Sequence, residues 1–303
     1  MIGNNIIGNE KVKKSLEKAI DSNNIVHSYL FIGKDGIGKK EIAVDFAKKI
    51  LCLTKEETCT CKSCTCFDSN NHSDFFIINP LDDKKIISVD MIRTMIDEVY
   101  KKPILSDSKV FIINDADKMN ESAQNALLKT LEEPPEYAYI ILVASNELLL
   151  LNTIKSRTMR VSFNDIPSSD VEKYLKENTD IEKVSSSLLE YIGGSIGKSL
   201  KVIEDIDKYN AIENFLQKTE KEDIVDYFYD GKNTYTKEFI NQSLEYSEVV
   251  LMEFAKENRR YLNCIKYVDD CINRLSYNAN FDMSIDMMLF KIWEEVNENS
   301  SRH

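Results

Sequence analysis

Two kinds of hydrophobic pattern alternate along the first half of the chain. Uninterrupted apolar runs of strand length occur at 28–32, 110–113 and 139–144. Such runs are typical of strands that are buried on both faces of a parallel sheet. Between them, apolar residues recur at helical spacing over 39–51, and Asn120 is placed to cap another helix that stops before the prolines at 134–135. Strand, helix and strand in this order predict a doubly wound α/β domain.

The second half of the chain is predicted to be helical. All five prolines lie at or before Pro167, so the residues beyond it contain no helix-breaking proline. Boundaries near 165–167 and 205–210 divide the chain into three predicted domains, which are an α/β domain at 1–166, a small helical domain at 167–208 and a helical domain at 209–303. Apolar residues at helical spacing in the last of these predict a bundle core.

Charge and composition exclude some classes of function. The net charge is −12, and residues 210–303 hold 11 Lys/Arg against 18 Asp/Glu. Because phosphate contacts need an excess of basic residues, this chain is not expected to hold nucleic acid alone through a broad basic face. No apolar run approaches the roughly 18 residues of a membrane span, and the N-terminus lacks the pattern of a signal peptide. We therefore expect a cytoplasmic protein that makes no membrane contact.

The cysteines are distributed unevenly. Five of the seven fall within 15 residues, whereas two stand apart on predicted helices and are interpreted as small buried apolar residues: Cys52, Cys59, Cys61, Cys64 and Cys66, then Cys264 and Cys271. Without an export signal, a disulfide scaffold is disfavoured. Cys61 and Cys64 have the C-x-x-C spacing of a pair that chelates Zn²⁺. Free thiols and an iron–sulfur cluster are the remaining alternatives.

A glycine-rich segment follows the first predicted strand and opens the first predicted helix. Gly33, Gly36, Gly38 and Lys39 fit the pattern G-x-x-x-x-G-K of a phosphate loop. Glycines there let backbone N–H groups surround a phosphate, and the lysine reaches its terminal oxygens. The next position, normally a Mg²⁺-ligating Ser or Thr, is Lys40, which offers no lone pair when protonated. The alternative is a glycine-rich turn that only happens to precede a helix.

The second part of such a site is expected at the end of the strand at 110–113. Asn114 and Asp115 stand where a metal-linked carboxylate and a water-activating glutamate would lie. An amide brings no charge to Mg²⁺, and an aspartate is one methylene shorter than a glutamate. Two positions that support a metal therefore depart from the catalytic pattern. Asp117, two residues further on, is interpreted as a solvated residue.

These motifs together resemble the clamp-loader branch of the AAA+ ATPases, which serves bacterial DNA polymerase III in DNA replication. The resemblance covers about residues 1–205 and rests on the phosphate loop, the cysteine cluster and three further segments, 27–31, 125–135 and 153–158. It implies a P-loop core, a helical lid and a helical collar that assembles with other subunits. The implied partners are the gamma/tau and delta subunits in a hetero-pentamer, the sliding clamp, and primed DNA through the complex.

The resemblance also implies roles for particular residues. Arg157 is expected to act as an arginine finger toward the nucleotide of a neighbouring subunit, although Thr158 stands where the family has cysteine. A surface arginine paired with a carboxylate is the alternative. Ser145 and Asn146 match the sensor-1 position. Lys198 lies where catalytic relatives use a sensor-2 arginine, and a glycine-rich helix start is its alternative.

The departures at Lys40 and Asn114 match the subunits of this branch that do not hydrolyse ATP. We therefore expect a chain that is no enzyme by itself but is part of the DNA-directed DNA polymerase holoenzyme. Nucleotide binding at the loop is left open by the sequence. The second hypothesis is an active AAA+ ATPase that uses Lys39 and Asp115, and the third is a zinc-dependent nucleic-acid-binding module centred on 52–66.

The cysteine cluster has a counterpart in relatives, which place one cysteine at the end of the helix after the phosphate loop and three more in C-x-x-C-x-x-C. By that resemblance the expected ligands of a structural Zn²⁺ are the four residues Cys52, Cys59, Cys61 and Cys64. Thr58 occupies the remaining family position, and Cys59 is shifted by one. Cys66 is an alternative ligand and His72 a further one. Four protein ligands leave no open position for a substrate, so the site is expected to be structural.

Overall fold

The computed structural model describes residues 2–3, 6–54, 59–81, 86–178, 184–217, 237–277 and 279–297. These residues contain a five-stranded sheet in the order β2-β3-β4-β1-β5. Every neighbouring pair of its strands is parallel. The strands are β1 Ser28–Ile32, β2 Phe75–Ile78, β3 Lys109–Ile113, β4 Ala138–Ala144 and β5 Met159–Ser162. The three predicted strands are confirmed, and β3 and β4 each begin one residue earlier than predicted.

The two strands that the sequence pattern missed, β2 and β5, are the edges of the sheet. β1 and β3 are buried along their whole length, whereas β2 is half-buried and β5 is mostly exposed. An edge strand has a neighbour on one side only, and its residues need not be apolar throughout. β5 accordingly carries an exposed arginine, Arg160, and lacks the apolar run that marks the central strands.

Helices cover both faces of this sheet. They are α1 Glu10–Asp21, α2 Lys39–Leu51, α3 Lys62–Asp68, α4 Val89–Val99, α5 Glu121–Glu132 and α6 Asn152–Lys155. β1 alternates between two cores, with Leu30 and Ile32 in one and Tyr29 and Phe31 in the other. Asn120 caps α5 by accepting the N–H of Ala123 at 2.8 Å, as its position predicted. The doubly wound α/β fold is confirmed.

The chain divides into two compact units. The first is Met1–Asp170 with Gly194–Gly197, and the second is Val171–Gly193 with Lys198–His303. From Ser168 onward the described elements are all helices: α7 Ser168–Asn178, α8 Ser186–Ile192, α9 Ile196–Glu204, α10 Ile206–Gln217, then Lys237–Glu257, Tyr261–Ser276 and Phe281–Asn297. The further division into a lid at 167–208 and a collar at 209–303 stays a prediction.

Three buried tyrosines pack together in the second unit. The rings of Tyr191, Tyr209 and Tyr246 contact one another with centroid distances of 5.2–5.8 Å. Cys264 and Cys271 are buried in the same unit, as expected of small apolar residues, and burial raises the pKa of both thiols to about 11. Among the described helices, none is long and apolar enough to cross a membrane.

Candidate functional site

The predicted phosphate loop lies at the carboxyl end of β1 and leads directly into α2. Gly36 and Gly38 have φ angles of +72° and +88°. A side chain at Gly38 would also meet Ile6, because its Cβ would lie 2.6 Å from a methyl carbon of that residue. The N–H of Gly197 donates to the carbonyl of Gly36 at 2.8 Å. Glycine is therefore required by backbone geometry in this loop and by the close approach of Ile6.

Lys39 is buried in the loop and makes contacts with the loop itself. Its Nζ donates to the carbonyls of Gly33 at 2.6 Å and Lys34 at 2.5 Å, and to the Ser145 hydroxyl at 3.2 Å. The Asp35 carboxylate lies 3.8 Å from the same nitrogen and accepts a hydrogen bond from Ser145. Burial lowers the pKa of Lys39, whereas Asp35 opposes that shift. To bind a phosphate, Lys39 would have to exchange these carbonyl partners.

The two positions at the end of β3 have partners other than a metal. The amide of Asn114 donates to the side chain of Asn79 at 3.2 Å. Asp115 has a left-handed backbone with φ of +51°, and its carboxylate accepts from Lys118 at 3.0 Å. Lys40, in the first turn of α2, is half-buried. The groups that would hold Mg²⁺ and orient a water are therefore replaced or already paired.

The expectation that Asp117 is only solvated is wrong. Its carboxylate accepts the backbone N–H groups of Ser145 at 3.4 Å and Asn146 at 3.1 Å, and so fixes the turn after β4. Ser145, at the predicted sensor-1 position, contacts both Lys39 and Asp35. The Asn146 side chain instead accepts the N–H of Leu148 at 3.0 Å. Of these two residues, Ser145 is the one that touches the phosphate loop.

Lys198, the residue at the predicted sensor-2 position, makes its described contacts inside the second unit. Its Nζ donates to the carbonyl of Tyr191 at 2.7 Å and lies 3.4 Å from the centre of the Tyr191 ring. A lysine that bonds a carbonyl in the last turn of a helix stabilises that helix end. The contact with Tyr191 thus gives Lys198 a structural role. A contact between Lys198 and a nucleotide stays a prediction.

Arg157 follows α6 and is held by groups of its own chain. Its Nε donates to Glu132 at 2.6 Å, and its other nitrogens pair with the same carboxylate, with the Thr153 carbonyl at 3.0 Å and with the Ser156 hydroxyl at 3.2 Å. The structure thus contains the alternative that the sequence left open, which is an arginine paired with a carboxylate, here Arg157 with Glu132. A role toward a neighbouring subunit stays a prediction.

Gln124 is a buried polar residue whose structural role the sequence analysis did not predict. Its buried side-chain amide donates to the carbonyls of Met119 and Leu149, and it accepts the N–H of Leu151 at 2.8 Å. These bonds join α5 to the segment between β4 and α6. The available signal was a polar residue on the face of α5 that is otherwise apolar, since Leu127 and Leu131 lie on the same face.

The four cysteines predicted as metal ligands lie together. The Sγ atoms of Cys52, Cys59, Cys61 and Cys64 all lie within 4.8 Å of one another. A tetrahedral zinc site with Zn–S bonds of about 2.3 Å needs S–S separations of roughly 3.8 Å, so a small contraction would suffice. Cys66 lies outside this group, and Thr58 lies outside the described residues. Four thiols in this arrangement fit a structural zinc ion.

Backbone groups around the cluster already favour thiolate. Cys61 lies immediately before α3, and its N–H donates to the sulfur of Cys59 at 3.3 Å. Burial acts to raise the pKa of the Cys61 thiol, but N–H groups of Cys64 and Leu53 and the neighbouring thiols lower it to about 6. Burial raises the pKa of Cys64. Since zinc is bound by the thiolate, these N–H donors stabilise the form that the metal needs.

A buried hydrogen-bond network lies behind the thiol cluster and includes His72. The hydroxyls of Ser63 and Ser106 both donate to the carbonyl of Leu51, at 2.7 and 2.9 Å. His72 accepts the N–H of Asp74 at Nδ1, so its Nε2 carries the hydrogen and donates to Ser63 at 2.9 Å. With one nitrogen protonated and the other already accepting, His72 has no lone pair for a metal. Its suggestion as an alternative ligand is wrong.

Asp74 completes this network. Its carboxylate is fully buried and accepts the backbone N–H groups of Ile104, Leu105 and Ser106 at 2.8, 2.7 and 2.9 Å. The segment between α4 and β3 is thereby fixed beside the thiol cluster. These three hydrogen bonds could not be predicted from sequence spacing, because Asp74 and its partners are about 30 residues apart.

Comparison with known proteins gives a consistent family. A family model described as DNA polymerase III, delta subunit, matches residues 8–167. Subunit delta' of DNA polymerase III from Bacillus subtilis is 32% identical over 194 residues, which are 63% of this chain and 58% of that protein. Subunit delta' from Pseudomonas aeruginosa is 36% identical over 137 residues, 44% of this chain and 42% of that protein. The chain thus spans about half the length of these relatives.

Relatives with other names match as well. Subunit tau/gamma from Haemophilus influenzae is 30% identical over 208 residues, which are 66% of this chain and 30% of that protein. A solved gamma subunit-related protein of DNA polymerase III from Thermotoga maritima has a TM-score of 0.59 at 22% identity, and covers 93% of this chain and 99% of that chain. That likeness shows a shared fold, with a parallel sheet and a helical C-terminal region.

Proposed function

Since the chain belongs to the family described as DNA polymerase III, delta subunit, we propose that it is a delta-prime-type clamp-loader subunit that does not hydrolyse ATP. Its role is to help place the sliding clamp on primed DNA during replication in the cytoplasm. Delta' relatives match at 32% and 36% identity, and tau/gamma and tau relatives match at 30% and 34%, so identity alone does not separate the two types. The observation that carries the proposal is the replacement of the metal-supporting groups around an intact phosphate loop.

The proposed lack of ATP hydrolysis rests on three positions. Lys40 stands at the position of the Mg²⁺-ligating hydroxyl, and its positive charge would repel the ion. Asn114 bonds Asn79, and Asp115 is paired with Lys118 at 3.0 Å. Hydrolysis needs a metal that bridges the phosphates and a group that orients the attacking water. With neither group available, Lys39 alone would support at most nucleotide binding.

The contribution to catalysis is proposed to come from Arg157, acting on the ATP of a neighbouring subunit. A guanidinium stabilises the charge that spreads over the γ-phosphate oxygens during transfer. Arg157 lies at the surface, with its side chain 32% exposed, on the segment between α6 and β5. An exposed position on a short segment between two regular elements would let it reach a partner while its backbone stays fixed.

The thiol cluster is proposed to hold a structural Zn²⁺ through Cys52, Cys59, Cys61 and Cys64. Its support is the mutual approach of four Sγ atoms within 4.8 Å and the N–H donors that favour thiolate. When bound, the ion would fasten the end of α2 to the start of α3. It would contribute to folding and not to chemistry, because all four tetrahedral positions are filled by protein.

The partners are proposed from the same relatives. Names of similar proteins include the gamma and tau subunits of DNA polymerase III, and we propose that subunits of this kind, with a delta subunit, form a hetero-pentamer with this chain. The helical C-terminal region would act as the collar of that assembly. DNA would be met through the complex, since the net charge of −12 disfavours binding by this chain alone.

Reconstitution with gamma/tau and delta subunits tests the proposal. Clamp-loading ATPase activity should fall by two orders of magnitude or more with Arg157→Ala, as about 10³–10⁵-fold effects of arginine fingers indicate. It should survive Lys39→Ala, since hydrolysis does not occur at this loop. Turnover by the isolated chain that needs Mg²⁺ and disappears with Lys39→Ala would favour the active ATPase instead. Unchanged activity with Arg157→Ala would refute the trans role.

A further inference from the structure

The last residue of α5 engages the residue that is proposed to act in trans. Arg157 donates from Nε to the Glu132 carboxylate at 2.6 Å, and a terminal nitrogen forms an ion pair with the same group. The other terminal nitrogen donates to Thr153 at 3.0 Å and to Ser156 at 3.2 Å. A guanidinium has five N–H donors, so four are occupied within the chain and one is left.

Two nitrogens of Arg157, Nε and Nη2, approach one oxygen of Glu132, Oε1, and so occupy the side of the guanidinium that a phosphate could bind. With one donor left, Arg157 can bind two oxygens of a phosphate only by giving up a present partner, and Glu132 is the partner whose charge a phosphate would replace. We infer that Glu132 is a latch: it holds Arg157 within the chain, and Arg157 moves from this carboxylate to the γ-phosphate of the neighbouring subunit. This inference rests on the proposed trans role of Arg157, and it assigns a task to an acid of the 125–135 segment.

The setting of the pair suits such an exchange. Arg157 and Glu132 are 32% and 46% exposed, so their ion pair is weak and can be broken without burying a charge. The backbone that carries Glu132 is fixed, because Asn120 caps the start of α5 and Gln124 joins the helix to the segment that precedes α6. The acid is therefore held at a set position while the arginine is able to move.

The neighbouring residue provides a matched control. Glu133 is exposed and makes no side-chain hydrogen bond or ion pair to a described residue. Glu132→Gln and Glu133→Gln change the net charge equally and at adjacent positions. Any effect of long-range charge on the complex should appear in both, whereas release of Arg157 should appear only in Glu132→Gln.

The test is steady-state ATPase of the reconstituted complex with clamp and primed DNA, for wild type, both Gln variants, Arg157→Ala, and Arg157→Ala combined with Glu132→Gln. Glu132→Gln should lower the KM for ATP by about two- to fivefold, the factor that an exposed ion pair is worth. Glu133→Gln should match wild type, and Glu132→Gln should add nothing to Arg157→Ala.

Two results would overturn the latch and leave the trans role standing: Glu132→Gln behaves like Glu133→Gln, or it slows ATP turnover as Arg157→Ala does. The second result would mean that the acid orients the arginine and is not exchanged. An equal effect of Glu132→Gln with and without Arg157 would also overturn it. If Arg157→Ala itself changes nothing, the proposed trans role of Arg157 fails and the latch fails with it.

Discussion

Replacing Asp74 should loosen the segment between α4 and β3. The fully buried carboxylate accepts three backbone N–H groups from residues 104–106, at 2.7–2.9 Å. A hydrogen bond to a charged group contributes about 1.5–3 kcal/mol. Asp74→Asn can keep the oxygen that faces Leu105 and Ser106, but its NH₂ would oppose the N–H of Ile104. One bond is lost, and local stability should fall by about 2–3 kcal/mol.

Asp74→Ala removes all three acceptors. The gross loss of about 4.5–9 kcal/mol is reduced because a charge no longer has to be buried, and we expect a net loss of about 4–5 kcal/mol. That value lies at the upper end for a single substitution. The order of stability should therefore be wild type, then Asp74→Asn, then Asp74→Ala.

Hydrogen exchange measured by mass spectrometry is the suitable assay, because a chain of two compact units has no single unfolding free energy. Peptides that contain residues 104–106 should lose protection in the predicted order, and peptides of the second unit should not change. Asp107→Asn, at an exposed residue of the same segment, is the control. Exchange in both Asp74 variants equal to that in Asp107→Asn would refute the reasoning.

Three further predictions concern other parts of the chain. Cys64→Ser should abolish the zinc content of the purified protein, measured by atomic emission, whereas Cys66→Ser should retain one ion per chain; equal content in both would contradict the ligand set. Burial and then Asp269 raise the pKa of Glu248 to about 7, so the stability of the second unit should fall as pH rises from about 4.5 to 7. Glu248→Gln should raise the stability of that unit by about 1 kcal/mol at pH 8 and leave it unchanged at pH 4, as measured by hydrogen exchange in peptides that contain residue 248. Gly38→Ala should destabilise the first unit by about 1–2 kcal/mol in thermal unfolding, because φ is +88°.

The central strands and α2 could be predicted because their burial makes their composition uniform. β1 is buried at every residue, and α2 matches the predicted limits of Lys39 and Leu51. β5 escaped prediction because an exposed edge imposes no such uniformity. Local patterns therefore predict the parts of a fold whose surroundings are the same on all sides.

The candidate site divides in the same way. The four thiols lie close together along the chain, within residues 52–64; spacing predicted the Cys61–Cys64 pair, and the family resemblance predicted the other two ligands. The bonds of Asp117 to the turn after β4, and of Asp74 to residues 104–106, join residues that are 28 to 32 positions apart. Such contacts depend on which strands become neighbours in the sheet. The sequence around a carboxylate does not indicate which distant residue it will contact.

Helix α2 has side-chain hydrogen bonds at both of its ends. It has 13 residues and so a length of about 20 Å. Its first turn is fixed by Lys39, and its last carbonyl, that of Leu51, receives two serine hydroxyls beside Cys52. If the last turn of α2 frayed beside Cys52, the Leu51 carbonyl would lose its two serine partners, and the helix that follows the phosphate loop would become shorter. The thiol cluster and the phosphate loop thus lie at the two ends of one helix.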